Sequence, residues 1–345
     1  MSLETVSCFF DGYRKNGKEG ESALKLVREN ILNSIKSSSL GKYSKYCDVP
    51  EDEINSWLDS LLGKDRLNEE QRNEIRRQLC QCLKRIDEES CIALWNYWLR
   101  PSTNPLSALL IVDAQNDFMS GSLALKHCPA GEDGEEVVSV IEDLLSKNLF
   151  SVVGYTFDWH PPDHCSFIDN VSLYPLHSTS PVSSAQAKLF DVVVYDKLPL
   201  INQILWPRHC VIDSWGAELH KGIKPPGKED ITVKKGSNPR IDSYSAFWDN
   251  ADCVQTSLFV DLLNRGVTDV YLCGLAFDVC VKHSAIDAWE QGFRTHVIVD
   301  GCRGVSPDGI AETRKEFLKN GIVLIVSNKV EDALRDKEEQ SYTMA

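Results

Sequence analysis

Two patterns of hydrophobic spacing divide the chain near residue 100. Before that point, apolar residues recur at three- and four-residue intervals: Leu24, Leu26, Val27, Ile31 and Leu32, then Ile54, Trp57, Leu58, Leu61 and Leu62, then Ile75, Leu79 and Leu83. Such spacing predicts amphipathic helices. The acidic run Glu51-Asp52-Glu53 suits the N-terminus of the second helix, and Asn68-Glu69-Glu70-Gln71 resembles a capping box for the third. A short fourth helix takes in Ile92, Leu94, Trp95 and Trp98.

After a linker at 101–105, rich in Pro, Ser and Asn, continuous apolar runs of strand length alternate with helical patterns. Strands are predicted at 108–112, 151–155, 231–234, 270–273, 295–299 and 322–326, and helices at 132–147, 253–265, 278–291 and 307–319. Ser306 caps the last helix, Pro307 opens it, and Asn320-Gly321 stops it. This alternation implies an α/β fold: a Rossmann-like, three-layer α/β/α unit over 106–335 with a mostly parallel six-stranded sheet. A small all-α domain at 1–100 precedes it and a polar tail at 336–345 follows. Residues 168–205 interrupt the alternation as an insertion.

The N-terminal helix pairs raise the question of an EF-hand. The nearest loop, Asp11 to Ser22, carries Tyr13, Lys15 and Ser22 at its third, fifth and twelfth positions, and these cannot replace a calcium ion's hydration shell. This region is therefore expected to be EF-hand-like in layout but without calcium ligands. A docking or oligomerisation role remains open for it, with no partner specified.

The chain has 345 residues, 42% hydrophobic and 26% charged, enough for a sizeable core without disulfides. Its net charge of −14 argues against nucleic acid as a partner. No secretory signal or membrane-spanning run is visible at sequence level. Twelve cysteines without a signal point to reduced thiols and a cytoplasmic location, with nuclear access open. Cys80 and Cys82 form only a C-x-C in a helical pattern, which argues against structural zinc.

Candidate chemistry gathers at the predicted strand ends. Asp113 follows the first strand, Lys235 ends the Ile231 strand before a glycine, and Cys280 falls in the first helical turn after the Val270 strand. In a parallel sheet these ends share one edge, so a base, a cation and a nucleophile converge. Unpaired N–H groups at a helix start also favour a thiolate. After the second strand, Asp158, His160 and His164 offer one oxygen and two nitrogens within seven residues, and His209 is a fourth candidate. One carboxylate and three imidazoles suit zinc, iron or manganese. Cys165 and Cys210 rank below the histidines, and His177 competes weakly for the fourth place.

Five pieces in order carry a specific resemblance: Val112–Phe118, Asp158–Phe167, Trp206–Cys210, Val233–Gly236 and Gly274–Val281. Residues 106–330 resemble the nicotinamidases of the isochorismatase-like cysteine hydrolases, in a eukaryotic layout with an N-terminal helical extension. The resemblance implies hydrolysis of nicotinamide to nicotinate and ammonia through a cysteine thioester, feeding NAD salvage. It implies Cys280 as nucleophile, Asp113 as general base and acid, and Lys235 as cationic partner. A cis Leu275–Ala276 bond would turn the Ala276 N–H toward the site, to form an oxyanion hole with the Cys280 N–H. Phe118, Trp206 and Tyr244 would flank the pyridine ring. Asp158, His160, His164 and His209 would hold one divalent metal ion, zinc foremost, with iron or manganese as alternatives. The partner is a small molecule, nicotinamide, and a homo-oligomer remains open. The competing expectations are a related carboxamide hydrolase, with pyrazinamide as a side substrate, and a non-catalytic scaffold.

Overall fold

The computed structural model describes residues 49–62, with side chains to residue 57, together with 106–197 and 199–335. The helices expected at 22–35, 68–83 and 92–98, the Asp11–Ser22 loop, the linker and the polar tail lie outside the described residues. The second expected helix is present as α1, Glu51–Leu62, with its three acidic residues in the first turn and Ile54 and Trp57 buried.

The core of the remainder is a six-stranded sheet: β1 Ser107–Val112, β2 Val152–Asp158, β5 Ile231–Lys235, β6 Asp269–Leu275, β7 Arg294–Arg303 and β8 Val323–Ile325. Their order is β5-β2-β1-β6-β7-β8, and every pairing is parallel. All residues of β1 and β6 are buried, as expected of central strands covered on both faces. The helices are the single turn α2, Asn116–Met119, then α3 Val137–Ser146, α4 Leu258–Asn264, α5 Cys280–Glu290 and α6 Pro307–Asn320. Helix α6 has the capping read from sequence: Ser306 Oγ accepts from the Gly309 N–H, and Gly321 ends the helix at φ 76°.

Two helices are shorter than their periodicity predicts. Residues 134–136 form a 3-10 turn ahead of α3. Helix α4 begins at Leu258 rather than residue 253. There, Asp249 Oδ1 takes the N–H groups of Ala251 and Cys253, and the Thr256 hydroxyl donates to Ala246 O at 2.6 Å. Local side-chain bonds of this kind compete with helix formation.

The 168–205 insertion carries a small antiparallel pair, β3 Val192–Val194 and β4 Asn202–Ile204. Its own core comprises Cys165, Val171, Val193, Tyr195 and Leu205, and the Tyr195 hydroxyl donates to Cys165 O at 2.7 Å. Strand β1 lies between β2 and β6, and the chain leaves β1 and β6 in opposite directions across the sheet. That reversal opens a crevice at the strands' carboxyl ends, where ligands bind in open α/β sheets.

Candidate active site and metal-ligand cluster

Asp113 immediately follows β1, fully buried, with φ 47°. Its N–H donates to Thr156 O on the neighbouring strand, and the Thr156 hydroxyl donates to Asp113 Oδ1 at 2.6 Å. Oδ2 sits 2.9 Å from the Lys235 ammonium but makes no directed hydrogen bond within the protein.

Lys235 ends β5, opposite Asp158 in the β2–β5 register. Its Nζ donates to Asp158 Oδ1, to Ser243 O at 2.9 Å and to Cys280 Sγ at 3.3 Å. Burial works against the ammonium, but Asp113 and Asp158 overcome it and hold the Lys235 pKa well above its ordinary value.

Cys280 is the first residue of α5. The position favours a thiolate, yet burial pushes the thiol pKa well up, with Asp113 and Asp158 adding to the rise and Lys235 opposing it. A rise in this direction favours the thiol and gives a neighbouring base a proton to remove. Asp113 is suited to that role: burial, helped by the Asp158 charge, raises its pKa and hence its basicity, against Lys235 and Thr156. The Leu275–Ala276 bond is cis, and Ala276 and Cys280 both line the cleft. Gly274 precedes them at φ 117°, where a Cβ would fall 2.0 Å from Val112 O, so only glycine fits.

The four candidate metal ligands fall into two spatial groups that share His160. His160 Nδ1 faces Gly236 O at 2.9 Å and His209 Nδ1 faces Pro207 O at 2.7 Å. A carbonyl oxygen only accepts, so both Nδ1 atoms carry the proton and both Nε2 lone pairs are free. Those Nε2 atoms lie 3.5 and 3.7 Å from Asp158 Oδ2. Two ligands each ~2.1 Å from a shared tetrahedral ion would stand about 3.4 Å apart, so the spacing fits a metal. Gly236, at φ 70°, makes this possible, since a Cβ there would lie 2.4 Å from the His160 ring.

His164 differs. Its Nδ1 lies 2.7 Å from Ser166 Oγ and 3.3 Å from the Ser166 N–H, while its Nε2 sits 3.9 Å from Asp242 Oδ1, beyond hydrogen-bond reach. Burial drops its pKa to about 3 and keeps it neutral. The ring stacks on His160 at 4.1 Å, outside the Asp158–His160–His209 cluster, and groups instead with His160 and Asp242. His177 lies away from both clusters in a turn, its Nδ1 beside Thr179.

Phe118, Trp206 and Tyr244 all line one cleft of about 370 Å³ with Asp158, His160, His209, Ala276 and Cys280. The sequence reading omitted Asp242, Gln115 and Thr156. The Gln115 amide exchanges 2.8 Å hydrogen bonds with both the N–H and the carbonyl of Asp158, in the manner of an extra strand. Gln115 lies within the Val112–Phe118 motif, but only the folded chain shows what it touches.

A buried thiol, carboxylate and ammonium on one edge of a parallel α/β sheet define a cysteine hydrolase site. The Isochorismatase domain family matches residues 175–328. The nicotinamidase of Escherichia coli strain K12 is 37% identical over 223 residues, 64% of this chain and 94% of that one. The nicotinamidase of Saccharomyces cerevisiae is 32% identical over 235 residues, 64% of this chain and 99% of that one. Among solved structures, an Acinetobacter nicotinamidase superposes with a TM-score of 0.55 at 34% identity, covering 67% of this chain and 99% of that one. The yeast nicotinamidase bound to the inhibitor nicotinaldehyde gives 0.55 at 30% identity, covering 64% and 100%. The chain belongs to the isochorismatase family, and the relatives named here are its nicotinamidases.

Proposed function

We propose that this protein hydrolyses nicotinamide to nicotinate and ammonia, through a thioester on Cys280, and so feeds NAD salvage. The observation that carries the chemistry is the convergence of one buried ammonium, Lys235, on Asp113, Asp158 and Cys280. The nicotinamidases among its relatives supply the substrate class.

Asp113 Oδ2 takes the thiol proton, and Lys235 stabilises the thiolate as it forms. Sulfur attacks the amide carbon, and the developing oxyanion faces the Ala276 and Cys280 N–H groups. A first-turn N–H has no partner within its helix, and one such donor contributes about 3 kcal/mol to lowering the barrier. Asp113 returns the proton to the departing ammonia and then activates the water that cleaves the thioester.

Asp158, His160 and His209 would hold one divalent ion, zinc by donor type, with iron or manganese as alternatives. Once bound it would supply Lewis acidity at the pyridine nitrogen. His164 stacks on His160 and groups with Asp242 rather than with that set.

Among the described residues, the cleft lining contains Asp158 and Asp242 and no lysine or arginine. That favours a neutral aromatic amide over an anionic substrate and argues against a nucleotide. The intact trio disfavours a non-catalytic scaffold. The seven described cysteines are free thiols, which supports a reducing compartment, and we place the enzyme in the cytoplasm. No helix among the described residues is long and apolar enough to cross a membrane.

Ammonia release from nicotinamide tests the proposal, with pyrazinamide and an aliphatic amide in parallel. Turnover of nicotinamide that Cys280→Ala abolishes is the expected result. Absence of turnover by metal-loaded wild-type protein would refute it.

A further inference from the structure

Three residues in sequence, Asp242-Ser243-Tyr244, each face a different part of the site. Asp242 lines the cleft and points one oxygen toward His164. The Ser243 carbonyl receives the Lys235 ammonium at 2.9 Å. Tyr244 forms the cleft's aromatic wall, edge-on to Trp206 with ring centroids 6.5 Å apart. No strand or helix holds this tripeptide; on one side Asn250 accepts the Tyr244 N–H at 2.9 Å and donates its own N–H to Asp242 O at 2.8 Å, and the side chains of Asp242 and Tyr244 are held from the other.

Gln203, on the insertion's β4, is fully buried. Its Nε2 donates to Asp242 Oδ2 at 2.9 Å and to Ile204 O at 2.9 Å, and reaches the Tyr244 hydroxyl at 3.3 Å. Its Oε1 faces the Cys165 thiol at 3.9 Å. A buried amide is costly unless its donors and acceptor are matched, and a matched one fixes a single geometry. We propose that Gln203 is a positioning residue: its amide sets the register of residues 242–244 and thereby makes the β3–β4 insertion a fixed wall of the active site. Gln203 touches neither Lys235 nor Cys280. It acts through Asp242 and Tyr244, so its contribution falls on substrate binding more than on the chemical step.

This inference rests on the proposed reaction only for its assay substrate. The test is steady-state ammonia release by full-length Gln203→Leu, with thermal melting in parallel. The expected result is a KM for nicotinamide raised about tenfold or more, with kcat within about threefold of wild type. Val193→Ala, in the same hairpin but facing only its private core, should lower Tm and leave KM unchanged. If the leucine variant does not fold, Gln203→Glu keeps the size but turns an acceptor toward Asp242, and the same rise in KM is expected. A folded variant at either substitution with KM within about twofold of wild type overturns the inference. So does failure of both to fold, which would make the residue purely structural. In either case an active wild type leaves the proposed reaction standing, whereas an inactive wild type refutes that reaction instead.

Discussion

Asp113, Lys235 and Cys280 stand at two strand ends and a helix start, so the parallel ladder that builds the sheet also sets their spacing. Trp206, His209, Asp242 and Tyr244 face them from loops, where side chains replace the ladder. Asp117 Oδ2 takes the Cys210 N–H at 2.7 Å, Arg208 bonds Pro162 O and Asn170 Oδ1, and Gln203 holds Asp242. The difference teaches where each property resides. Reaction type belongs to the sheet edge, and selection of what reacts belongs to the wall. Losses at the edge should therefore appear in the chemical step, and losses in the wall should appear in binding.

The largest expected effect is at the edge. Cys280→Ala should lower turnover by about 10⁴-fold or more while leaving metal content intact, measured by ammonia release and elemental analysis of the same preparation. Loss of the metal together with activity would mean that edge and wall are not separable.

Next come the histidines. His209→Ala should weaken zinc binding by about 100-fold or more in a chelator competition, whereas His164→Ala should weaken it by about tenfold or less. Equal losses would put His164 in the ligand set beside His209.

Thr156→Val tests the edge more gently. The Thr156 hydroxyl stabilises the Asp113 carboxylate, so its removal should raise a pKa that burial already lifts above 3.8. Asp113 must be ionised to act as base, so activity falls as pH drops through its pKa. The acidic limb of kcat/KM should therefore move to higher pH in Thr156→Val. An unmoved limb would assign it to another group.

The smallest effect should come from Tyr195→Phe, which removes the hydrogen bond to Cys165 O inside the insertion. It should cost about 1 kcal/mol of stability by denaturant titration and leave KM unchanged.

The sequence revealed the edge more fully than the wall, for a physical reason. Apolar runs mark strands, strand ends in a parallel sheet share an edge, and Asp113, Lys235 and Cys280 could be placed there by counting. Asp242 and Gln203 gave no such signal, because a buried polar residue in a loop is defined by partners far away in the chain. His164 shows the same limit differently. Its spacing from His160 suits a ligand, but which carboxylate its ring groups with, Asp242 rather than Asp158, depends on how the loop folds, which spacing does not encode. The start of α4 at Leu258 likewise depended on Asp249 and Thr256 competing for backbone groups that periodicity assigns to a helix.

Asp158 has one further consequence. Its Oδ1 is bonded to the Lys235 ammonium and its Oδ2 faces the two metal-ready imidazoles, so a single carboxylate belongs to both centres. Were a cation held by Oδ2 and the two imidazoles, Oδ1 would carry less charge and the ammonium would be more available to sulfur. Thermodynamic reciprocity then requires that ionising Cys280 tighten the cation by the same factor. Ion affinity and nucleophile acidity are in this sense one property of the site, measurable from either end.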